Sequence, residues 1–110
     1  MAPTSFDYSP NNERENMPLF VVEYTYSAET VSARDTHRAE HREWLKGLVE
    51  NGTIVASGPF ADKTGAFIVI VATDAATAYE LFAQDPFARL NLLESTRIVE
   101  WAPVMGPLRG

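Results

Sequence analysis

The chain has 110 residues, with nine Lys and Arg against fifteen Asp and Glu, a formal net charge of −6 at pH 7. Its basic residues are scattered along the sequence, which argues against nucleic-acid binding, where a clustered basic footprint supplies the attraction. The absence of cysteine excludes disulfides, thiolate nucleophiles and thiolate metal sites, and fits a reducing, cytoplasmic setting.

One domain is expected, burying roughly two-thirds of its extended surface, so a pocket of useful depth is easier to build between two copies. No apolar run approaches about 18 residues and the first residues contain no apolar signal core, so neither membrane spanning nor secretion is indicated. Residues 1–16 are polar and contain Pro3, Pro10, Asn11 and Asn12, and read as an N-terminal extension to a domain over 17–110. Phe6 and Tyr8 are its natural anchors, and a late start at Met17 is the plainer alternative.

From Leu19 the pattern is regular. LFVVEYTY alternates as a strand, with Phe20, Val22, Tyr24 and Tyr26 on one face and Leu19, Val21, Glu23 and Thr25 on the other. A helix follows from about Ser32, a plausible N-cap with Asp35 three residues on, and stops at Asn51-Gly52. TIVASGPF is a short strand closed by Gly58-Pro59, ADKTG is a turn, and GAFIVIVAT is an apolar run typical of a strand covered on both faces. Thr73 or Asp74 caps a second helix with Ala78, Leu81 and Phe82 as its stripe. Asp85-Pro86 interrupts it, since proline disfavours helical geometry in the preceding residue. A turn through PFARLNLL leads to the last strand, STRIVEWAPV.

The order β-α-β-β-α-β predicts an α+β fold of the ferredoxin-like βαββαβ type, a four-stranded antiparallel sheet with both helices on one face. Apolar residues on both sides of several strands predict a second subunit packed sheet to sheet, a homodimer.

Only two histidines occur, His37 and His41. His41 falls in register with Leu45 and Leu48 on the apolar stripe of the first helix, aimed at the sheet, whereas His37 sits nearer solvent. An imidazole on a buried face is either a core residue satisfied by a carbonyl or carboxylate, or a working group. Asp85, in the break after the second helix on the same sheet face, is the partner that would fix its tautomer. His37 and His41 share zinc-ligand spacing, but two ligands do not make a site and Asp35 lies on another face, so no metal is expected. Ser57 lacks a nucleophile elbow but stands before Gly58-Pro59 at a strand end, where it and exposed amides suit an anionic oxygen. Arg38 and Arg89 are candidates for a substrate carboxylate, with solvated surface roles as the alternative. Among the aromatics, Tyr24 is the best candidate for ligand contact, while Trp44, Phe60, Phe67, Phe87 and Trp101 read individually as core or pocket wall.

RAEHREWLKGLVENGTIVASGPF, followed by DPFARLNLLESTRIVEW, resembles the YciI-like (YCII-related) family over about residues 18–104. Arg38, His41, Gly58, Pro59, Asp85, Pro86 and Phe87 match its pattern, while Arg42, where an apolar residue is usual, and the additional His37 depart from it. The resemblance implies a dimeric α+β barrel and a His-Asp active site at His41 and Asp85. It further implies, for some relatives, lyase or dehalogenating activity on ring compounds.

Together these readings predict a small enzyme without cofactor, in which His41 moves a proton and Asp85 orients it. The reaction is of lyase or isomerase type on a small polar, cyclic or aromatic-derived substrate. Arg38, Tyr24, Ser57, Gly58, Pro59 and Phe87 are the expected binding residues. Two rivals share the fold: a ligand-binding or assembly module whose His-Asp pair is structural, with the space around His41 filled, and a cofactor-free oxygenase.

Overall fold

The computed structural model describes residues 17–108. The reading of residues 1–16, with Phe6 and Tyr8 as anchors, lies outside the described residues.

Alternation in β1 (Leu19–Thr25) sends Phe20, Val22 and Tyr24 into the core and leaves Glu23 and Thr25 on the opposite face. Three further strands, β2 (Ile54–Pro59), β3 (Gly65–Val71) and β4 (Ser95–Trp101), complete an antiparallel sheet in the order β2-β3-β1-β4. This is the predicted ferredoxin-like arrangement. Pro59 is tolerated because β2 is an edge strand, and a bulge lies between Ile54 and Ala56.

One face of the sheet is covered by α1 (Val31–Glu50) and α2 (Ala75–Phe82), whose Trp44, Leu45, Leu48, Ala78 and Phe82 pack on Val22, Tyr24, Ile68, Ile70 and Ile98. Asp74 caps α2, its carboxylate accepting from the Thr77 amide at 2.8 Å, and that bond holds its carboxyl below the usual carboxylate range. After α2 the chain breaks at Asp85-Pro86, and the expected turn through PFARLNLL opens with one turn of helix, α3 (Pro86–Arg89). An Asp N-cap followed by proline at the first helical position nucleates such a turn.

The start of α1 differs from the expected Ser32 cap. A 3-10 turn over Ala28–Thr30 precedes it, and the helix begins at Val31. Thr30 makes no side-chain cap bond; its hydroxyl donates to the Leu92 carbonyl at 3.1 Å and receives the Arg34 guanidinium. Asp35 pairs with Arg38 instead of closing a capping box. Tertiary partners have outbid the local motif.

At the far end of β1, Gly65 pairs with Thr25, and a Cβ on it would overlap the backbone carbonyl of Tyr24. Backbone cannot rotate away as a side chain can. Gly65→Ala is expected to spread β1 from β3 and cost about 1–3 kcal/mol, read as a lower urea midpoint at unchanged slope.

Candidate active site

His41 and Asp85 lie 44 positions apart in sequence and touch. His41 Nδ1 stands 2.8 Å from Asp85 Oδ1 and 3.0 Å from Oδ2. Helical register brings the imidazole inward from α1, and the N-cap geometry of α3 fixes the carboxylate. Asp85 is fully buried, and each of its oxygens has a further donor. The Phe87 amide donates to Oδ1 at 2.9 Å and the Tyr24 hydroxyl to Oδ2 at 2.6 Å. Because an ionised carboxylate only accepts, it assigns the proton of neutral His41 to Nδ1 and leaves the Nε2 lone pair free. Nε2 has no hydrogen-bond partner among the described residues.

Phe87 acts twice. Its amide holds Asp85, and its ring stacks on the imidazole at 3.9 Å between centroids with planes 3° apart. The imidazole is thereby restrained in its plane by the carboxylate and across its face by the phenyl ring.

Beside His41 opens a cavity of about 640 Å³ between α1 and the β2–β3 hairpin. Arg38, Ser57, Gly58, Pro59 and Phe87, all expected to bind substrate, line it together with His41. Tyr24 does not. It is almost wholly buried, and its hydroxyl, expected to meet a ligand, donates to Asp85. Arg89 is exposed and is absent from the lining. His37 lies on the solvent side with Nδ1 2.7 Å from Glu40 Oε1. No cluster of three metal-ligating side chains occurs among the described residues. Trp44 packs edge-on against Phe82, and Phe60 and Phe67 sit 6.4 Å apart on the hairpin.

Among the lining residues that sequence reasoning missed are Tyr26, Arg34 and Lys63. Arg34 stands seven residues before His41, two turns along the same helical face, so the spacing was there to be read. It is 4% exposed, and its guanidinium lies 4.3 Å from the centre of the Tyr26 ring. Burial raises the Tyr26 phenol above its ordinary value, against the opposing pull of the Arg34 charge. Lys63 adopts φ 68°, a left-handed conformation, in a turn held by Asp62, whose carboxylate accepts from the Thr64 amide and hydroxyl.

Burial, and then the Asp85 charge and hydrogen bond, push the Tyr24 phenol far above its ordinary value of 10.0. Folded protein therefore keeps the Tyr24 proton at pH values where the unfolded chain has lost it. The associated stability is complete below about pH 10 and declines as pH rises beyond that. Tyr24→Phe is expected to leave Oδ2 short of a donor, cost about 1–3 kcal/mol at pH 8 and flatten the alkaline decline, both measurable by chemical denaturation between pH 8 and 11.

A model of the YCII-related domain matches residues 18–102. Among solved structures, 5-chloro-2-hydroxyhydroquinone dehydrochlorinase from Burkholderia phenoliruptrix, in complex with 2,5-dihydroxybenzoquinone, is similar with a TM-score of 0.67 and 23% identity. The match covers 76% of this chain and 92% of that one. A transcriptional regulator from Neisseria meningitidis, complexed with L-Met, matches with a TM-score of 0.53 and 13% identity, over 97% of this chain and 63% of its own. At these identities the likeness is one of fold. No curated protein matches the chain in sequence. The domain match spans the whole sheet, both principal helices and the His41–Asp85 pair, and the chain belongs to the YCII-related family.

Proposed function

We propose that this protein is a small enzyme in which His41 Nε2 takes a proton from a polar ring compound and starts an elimination or isomerisation, with Asp85 orienting the imidazole. The observation that carries the reading is an imidazole whose Nδ1 is bound by a buried carboxylate while the ring borders an open cavity. A structural pair predicts packed hydrocarbon at that place. The cavity favours the enzymatic reading over the assembly-module rival.

In an elimination, the bond pair left by the departing proton forms a new π bond, and the leaving group departs with its own electrons. Imidazolium is formed against Asp85, whose charge favours it, and gives its proton to solvent when the leaving group is chloride, or to another atom of the ring in an isomerisation. The dehydrochlorinase with the same fold acts on a chlorinated, hydroxylated ring, which makes such compounds the first substrates to try. Chloride release from a panel of chlorinated hydroquinones, compared between the native protein and His41→Ala, tests the reading. Equal release by both would end it.

We further propose a homodimer packed through the open face of the sheet. Phe67, Val99 and Trp101 stay partly exposed there at 39%, 38% and 37%, beside Val21 and Val69 at the sheet centre. Among the described residues no helix is long and apolar enough to cross a membrane, and we place the enzyme in the cytoplasm.

A further inference from the structure

The three arginines of α1, Arg34, Arg38 and Arg42, are spaced four residues apart, so they form one stripe along the helix. All three line the cavity, and Lys63 reaches it from the hairpin opposite. Four of the chain's nine Lys and Arg thus converge on one cavity in a protein of net charge −6. Asp35 is the single carboxylate among the lining residues, and it is paired with Arg38.

Like charges at this spacing oppose helix formation, so the stripe is a cost to the helix. Arg34 sharpens the point. Its Nη1 donates to the Ser27 carbonyl at 2.9 Å and to the Thr30 hydroxyl, its plane lies over Tyr26, and its buried Nε has no partner among the described residues. A guanidinium remains charged at any pH a protein meets, and no carboxylate among the described residues neutralises this one. Buried charge without a counter-charge is costly, and an anion in the cavity would supply it.

We infer that this cavity takes a ring compound bearing a carboxylate, with the acid group held between the arginine stripe and Lys63 while the ring lies toward His41. The inference deepens the proton-transfer reading and rests on it only for which end of the substrate reacts. Cations on both walls pull an anion in from solvent and fix its orientation through forked hydrogen bonds.

The test needs no turnover. Calorimetric titration with 2,5-dihydroxybenzoate and with its neutral amide, at pH 7 and low salt, compares two ligands that differ in one charge. The carboxylate is expected to bind at least about tenfold tighter, as charged hydrogen bonds allow. Arg42→Gln and Lys63→Gln, both exposed and dispensable to the core, are each expected to weaken it about three- to tenfold, with the amide unchanged. Equal binding of the two ligands, binding of neither, an unchanged preference in both variants, or displacement of the carboxylate by inorganic phosphate at lower concentration would each overturn the inference. The same titration on His41→Ala separates the two readings. A catalytically dead His41→Ala that keeps the carboxylate preference supports both, whereas loss of the preference in an otherwise normal native enzyme removes the anion subsite alone. An active His41→Ala removes the proton-transfer reading alone.

Discussion

His41→Ala is expected to lower turnover by about a hundredfold to ten-thousandfold, the range that a positioned acid-base group supplies, while the protein keeps the native mass in sedimentation equilibrium. The loss should fall on kcat more than on KM. The substitution removes the proposed proton acceptor but leaves the arginine stripe, Ser57 and the hairpin wall in place. Some destabilisation must accompany it, because the imidazole stacks on Phe87 and satisfies Asp85, and truncation leaves a hole beside a buried carboxylate. His41→Gln therefore belongs beside it. A glutamine amide can still donate toward Asp85, so the fold should be better kept, yet no neutral amide accepts a proton near neutral pH. If His41→Gln were fully active, His41 could not be the base, whatever His41→Ala did.

Much of this site was legible because its two key residues are placed by local rules. The stripe of α1 sets the direction of His41, and the proline after Asp85 forces a break in which an N-cap carboxylate is the natural occupant. Contact between them follows once both helices share a sheet face. The role of Tyr24 was not legible. Alternation in β1 says that its ring is inside, but whether its hydroxyl meets a ligand or a carboxylate depends on where α3 lies, a tertiary fact. The start of α1 failed for a similar reason. Thr30 and Asp35 spend their side chains on Leu92, Arg34 and Arg38, none of which a capping motif includes. Basic residues that look dispersed along the chain converge in space, because a spacing of four becomes a stripe only on a helix and Lys63 joins it only through the hairpin. Charge counted along the sequence missed what charge mapped on the fold reveals.

Asp85 offers the sharper division between holding the fold and enabling chemistry. Asp85→Ala removes the one acceptor shared by His41 Nδ1, the Phe87 amide and the Tyr24 hydroxyl, and leaves three donors in a space closed to water. A loss of about 3–5 kcal/mol is expected, as for breaking other buried partnerships, which is a large part of the stability of a domain this size. Asp85→Asn is nearly isosteric. Its carbonyl oxygen can accept from the Phe87 amide and His41 Nδ1, and its amino group can donate to the Tyr24 oxygen, so stability should change far less. Its charge is gone, however, and with it the stabilisation of the imidazolium that the proposed proton transfer to Nε2 would form. The expected result is a folded protein with kcat lowered by about a hundredfold or more. Combining Asp85→Asn with His41→Ala should cost little beyond His41→Ala alone, because a carboxylate that acts only through the imidazole has nothing left to act on. Additive losses in that double variant would assign Asp85 a direct part in the reaction and overturn its role as the residue that orients His41.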